Sequence, residues 1–126
     1  MKLQHLFTIN LFIAVFFGLS CSLFPVWVGQ LYGLVPDAGA IWTTRLVGGS
    51  ILGYATLMWF GRQAASIEAR RAIALALLIQ DAIGFVASME LQLGGEVNSF
   101  GWSSPILYGL LAFGYAYFLF IKPGHS

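Results

Sequence analysis

Residues 72–93 read AIALALLIQDAIGFVASMELQL. The stretch is too apolar for a helix with one solvated face, and it meets the length of about 20 residues needed to cross a bilayer. Inside hydrocarbon every backbone N–H and C=O must find its partner within the segment, so a helix is predicted over 72–93. Arg70 and Arg71 precede it, and Gly94-Gly95 stops it.

Three further stretches read the same way. Residues 3–24 end before Pro25, 40–60 end before Gly61, and 102–121 end before Pro123-Gly124. The link 25–39 holds Trp27 and Tyr32 among small and apolar residues, which suits a segment lying at the headgroup level. The polar turn 61–71 and the short link before Trp102 make neighbouring helices antiparallel. Composition agrees. Of the 126 residues 59% are apolar and 9% charged, against about 25% charged in a soluble domain. Six Lys or Arg and five Asp or Glu cannot cover the surface of a soluble chain this short, so the lipid bilayer is the expected partner.

The cations fix an orientation. Lys2, Arg62, Arg70, Arg71 and Lys122 all fall on one side of this arrangement, and that side is predicted to be cytoplasmic. The other side has Asp37, Glu90 and Glu96. The fold class expected is therefore all-α: a single domain over 1–126, an up-down bundle of four transmembrane helices with N-in/C-in topology. Trp27, Trp42, Trp59 and Trp102 sit near the ends of the spans, where amphipathic rings anchor.

Several classes of function fall away. A net charge of +1 offers no basic field for nucleic acid. The single cysteine, Cys21, rules out an intrachain disulfide and a dithiol redox pair. Gly18-Leu19-Ser20-Cys21 resembles a lipoprotein cleavage site, but Gly18 stands where a bulky aliphatic is usual and the apolar run continues to Phe24, so a buried thiol is expected. The first apolar stretch also exceeds the roughly 7–15 residues of a cleaved signal's core. His5 and His125 fit no metal-ligand spacing, so no metal and no cofactor is expected.

Charged side chains within spans cost about 2.5–3.5 kcal/mol near a helix centre and so ask for a reason. On a wheel at 100° per residue Asp81 shares a face with Gly84, Ser88 and Gln92, and Arg45 shares one with Gly49, Thr56 and Gly53. Small and polar residues mark faces where membrane helices pack, so Arg45 and Asp81 are predicted to point inward. Counted from Arg62 and Glu68, their depths differ by roughly 6 Å, which an Arg side chain spans. Glu90 is the competing partner for Arg45. Tyr108 lies at nearly the depth of Asp81, with Gly109 beside it, and Asn10 adds a polar group from the first span.

Three uses of this set follow. The first is a structural Arg45–Asp81 pair that fixes helix register in a non-enzymatic, accessory bundle. The alternative is a subunit of a homo-oligomeric transporter or channel, with Asp81 holding a proton, an ion or a small solute. A third is an interface with a membrane partner subunit. No nucleophile with a base beside it and no phosphate loop supports an enzyme.

The stretches Asn98-Ser99-Phe100-Gly101-Trp102-Ser103, Arg45-Leu46-Val47-Gly48-Gly49 and Gln80-Asp81-Ala82-Ile83-Gly84 resemble patterns in small bacterial four-helix membrane proteins, and the general architecture is similar to the DoxX-like group. The resemblance implies an inner (plasma) membrane location and no particular activity. Small multidrug transporters differ, because their essential carboxylate is in the first span, where this chain has Asn10. Fluoride channels differ in their weak charge bias and in an Asn and Phe pattern not found here.

Overall fold

The structure is a computed structural model that describes residues 2–35, 37–95 and 97–121. Glu96, Lys122, Pro123, Gly124 and His125, to which the sequence assigns roles, lie outside the described residues. Among those described the chain is all helical. Helix α1 is Leu3–Leu23, α2 Pro25–Leu31, α3 Ala38–Gly61, α4 Ile67–Leu93 and α5 Ser103–Ala116. A 3-10 turn, Ser99–Trp102, leads into α5, and a π-helical segment, Tyr117–Ile121, continues it.

Local chemistry sets these limits. Pro25 opens α2, where its missing N–H costs nothing. Asp37 caps α3 by accepting from the Ala40 N–H at 2.8 Å. Ser66 caps α4 by accepting from the Ala69 N–H at 3.2 Å, with Glu68 in the first turn. That cap starts α4 at Ile67 rather than at Ala72, so part of the expected polar loop is helix. Gly33 and Gly95, with φ of 78° and 73°, turn the chain beyond α2 and α4.

Three helices are long and apolar enough to cross a membrane: Leu3–Leu23, Ile67–Leu93 and Ser99–Ile121. Helix α3 is of similar length, at 24 residues, but is not among them. Thr43, Thr44, Arg45, Ser50 and its glycines dilute its apolar character. The outward surface is apolar, with Phe12, Leu110 and Phe113 more than 65% exposed. This is the surface of a membrane protein.

The helices pack as two close pairs, α1 with α3 and α4 with α5. Within the first pair Gly18 and Gly48 cross with no room for side chains. A Cβ on Gly18 would meet Leu52 at 2.8 Å, and one on Gly48 would meet the Gly18 carbonyl oxygen at 2.8 Å as well as Ser22. In the second pair Gly84 lies under the Tyr108 ring, 2.7 Å from an added Cβ, and Gly109 lies against Phe85.

The two pairs meet at one end only. The buried core comprises Leu3, Leu6, Phe7, Leu11 and Ala14 of α1, Ala55 and Met58 of α3, Ala74 and Leu77 of α4, and Leu111, Tyr115, Phe118 and Leu119. All of these except Ala14, which is at the middle of α1, lie in the halves nearest Arg62. At that end Gly61 meets Phe7 and Ile73, and Arg71 donates to the Leu119 carbonyl at 3.0 Å. At the far end α2 is tied to the segment entering α5. The Asn98 side chain donates to the Leu31 carbonyl at 3.0 Å, its N–H donates to the Tyr32 carbonyl at 3.0 Å, and the Tyr32 and Ser104 hydroxyls are 2.6 Å apart. Between the packed end and this tie the pairs separate.

Candidate functional site: a carboxylate in an apolar cavity

A cavity of about 410 Å³ fills that separation. Its floor is a polar relay set in the core. Asn10, 5% exposed, donates from Nδ2 to the Tyr115 hydroxyl at 2.8 Å, and that hydroxyl donates to Met58 Sδ at 3.7 Å. Its walls come from every helix: Ile13, Phe17 and Cys21 of α1, Val28 of α2 and Tyr32 just after it, Ile51 and Tyr54 of α3, Gln80 and Asp81 of α4, and Ser103, Leu107 and Tyr108 near the start of α5. The tie between α2 and the start of α5 roofs it. Val47, Ile106 and Leu110 line it while being 45, 59 and 67% exposed, so it opens sideways between α3 and α5.

Among the described residues, Asp81 is the one formally charged group on this wall. It is 3% exposed, and its Oδ2 is buried with no hydrogen-bond partner among the described residues. Tyr108 and Tyr115 lie within electrostatic reach of it, but neither donates to it. Ser103 Oγ, also on the wall, is a second buried oxygen with no hydrogen-bond partner among the described residues. A carboxylate in apolar surroundings is costly without a counter-charge, so this one calls for a cation or a proton. Among the described residues no group of three or more His, Cys, Asp or Glu side chains converges to hold a metal ion.

Two expectations fail here. Arg45 is exposed and forms no ion pair with Asp81 or Glu90 among the described residues. The wheel grouped its face with Gly49, Gly53 and Thr56 and turned that face inward, yet all three are exposed and a Cβ added to either glycine would find no packing neighbour within 4 Å. The residue one position away, Gly48, is the one α1 packs on, and Ala55 and Met58 follow at helical spacing on the buried side. One step along a helix is 100°, and that rotation carries Arg45 out of the interior. Glu90 is exposed too.

The other predicted residues separate. Asn10, Asp81 and Tyr108 line the cavity. Ser88 does not; its hydroxyl donates to the Gly84 carbonyl of its own helix. Sequence reasoning missed Gln80, Ser103, Tyr32 and Tyr115. Gln80 is the neighbour of Asp81, and Ser103-Ser104-Pro105 is a polar helix start inside an apolar span, so both had a visible signal. Tyr32 had none, because an interfacial aromatic looks the same in sequence as one turned into a cavity. Comparison with protein-family models, curated proteins and solved structures finds no match for this chain.

Proposed function

We propose that this chain is a non-enzymatic, solute-binding membrane protein, a transporter or carrier subunit whose site is Asp81 in the cavity between the two helix pairs. The observation that carries this is the buried Asp81 carboxylate with an orphaned oxygen on a cavity wall. A structural ion pair would need a cation beside it, and Arg45 is on the opposite, exposed face of α3. The proposed topology has α1, α3, α4 and α5 all spanning a bacterial inner membrane, as in the DoxX-like architecture. Support comes from the grouping of Lys2, Arg62, Arg70 and Arg71 where α1 and α4 begin and α3 ends, since cytoplasmic loops carry the excess of cations; in the proposed orientation the cavity lies in the outer half.

The test is proton flux and solute-dependent thermal stabilisation of the full chain in proteoliposomes, compared with Asp81→Asn. A ligand at 100 times its Kd stabilises by about 2.7 kcal/mol. Flux or stabilisation present in the native chain and lost in Asp81→Asn supports the reading. Responses identical in the two proteins overturn it.

A second reading, association as a homo-oligomer, is favoured by a separate observation. Arg45, Gly49, Gly53 and Thr56 share an exposed face of α3, and an arginine there gains by facing protein rather than lipid.

A further inference from the structure

The dimensions and lining of the cavity narrow the class of solute, on the reading that Asp81 is a binding site. From those features we infer that it takes an elongated, monovalent organic cation, an amphiphilic amine or quaternary ammonium, with its charge at Asp81 and its apolar body directed toward Ser103.

Charge comes first. A single carboxylate without a counter-ion matches one positive charge, leaves an anion repelled, and gives a neutral solute no advantage. The kind of cation follows from the rest of the wall. Hard cations such as Ca²⁺ ask for six to eight oxygen ligands, and even smaller ions must exchange their hydration shell for protein oxygens. Here the wall is mostly aliphatic and aromatic, and the tyrosine rings Tyr32, Tyr54 and Tyr108 face the same space as Asp81. Aromatic faces attract weakly hydrated organic ammonium groups, which lose little on leaving water. The carboxylate and the rings therefore select the same chemistry.

Size and shape agree. The cavity of about 410 Å³ is well over twice the roughly 150 Å³ that accommodates a benzene. Gly84 and Tyr108 are in contact, so they mark one level shared by α4 and α5. Asp81 lies three residues below that level and Ser103 five above it, which puts the two orphaned oxygens about 12 Å apart along the bundle. A compact ion would reach only one of them. The sideways opening at Val47, Ile106 and Leu110 is apolar, so a solute already dissolved among lipid tails reaches Asp81 without crossing water.

The probe is 4-phenylbutyltrimethylammonium, set against its neutral isostere in which carbon replaces nitrogen. Binding of each, radiolabelled, is measured to the full chain in nanodiscs, with empty nanodiscs subtracted. The cation is expected to bind at least about tenfold tighter than the isostere, a gap of about 1.4 kcal/mol. Asp81→Asn should remove that gap, and Asp81→Glu should keep it. Ile106→Trp, which narrows the exposed mouth, should slow entry of the cation, and entry at an unchanged rate overturns the sideways route. Equal binding of cation and isostere, or a gap that survives in Asp81→Asn, overturns the inference. If Asp81→Asn abolishes proton flux while the cation shows no saturable binding, the ligand class is wrong and the proposed site at Asp81 stands.

Discussion

The Asn10 side-chain amide donates to the Tyr115 hydroxyl at 2.8 Å, joining the first and last spans beneath the cavity. Both residues are buried, Tyr115 completely. Tyr115→Phe would leave the amide without its acceptor at a cost of about 1–3 kcal/mol. The double variant Asn10→Leu, Tyr115→Phe should recover part of this, because two apolar groups no longer need each other. Unfolding in mixed micelles, titrated with a denaturing detergent, gives both values.

Asp81→Leu is expected to raise folded stability or leave it unchanged. The native carboxylate has no partner, and an apolar side chain of similar size removes its desolvation cost. Adding Arg45→Gln should change nothing further, since Arg45 is exposed and does not pair with Asp81. A fall in folded yield for Asp81→Leu that Arg45→Gln repairs would mean the two side chains meet after all.

Adjacent glycines of α3 should behave oppositely. Gly48→Ala places a Cβ against Ser22 and the Gly18 carbonyl oxygen, backbone that cannot swing aside, and should cost about 1–3 kcal/mol. Gly49→Ala and Gly53→Ala meet nothing and should be neutral for the monomer. Melting temperatures of the three variants in one detergent decide this. A loss of dimer in Gly53→Ala, with monomer stability kept, would support the homo-oligomeric reading.

Asn98→Ala should loosen the roof of the cavity. It removes the bond to the Leu31 carbonyl and the Oδ1 cap on the Phe100 N–H, but leaves the bond from its own N–H to the Tyr32 carbonyl. Amide hydrogen exchange in residues 28–34 should therefore rise several-fold, with exchange in residues 3–14 unaltered.

How much of this was legible in the sequence depends on which physical signal each part leaves. The apolar stretches at 3–24, 72–93 and 102–121 announce themselves by length and composition, because lipid permits no other use for them. Their ends are marked by Pro25 and Gly94-Gly95. The facing of α3 is hard to read, because its polar and small residues are scattered around the helix and a choice between Gly48 and Gly49 needs to know where α1 crosses. Asp81 stands out as a charge in an apolar run. That it lacks a partner is a property of the packing, and the cavity beside it arises from the splay of two pairs, which no single helix encodes.

The placement of the buried core at the Arg62 end also makes the molecule a pair of tongs. Its pivot is the layer of Phe7, Met58, Leu77 and Tyr115, and its tips are the ends of the helices near α2. A small tilt at the pivot becomes a larger displacement at the tips, so the width of the gap between α3 and α5 is set by packing at its closed end, where of the four pivot side chains Met58 alone also lines the cavity. Selection acting on the grip of this protein would therefore be felt first in its tightest packing, the layer one helical turn beneath the carboxylate.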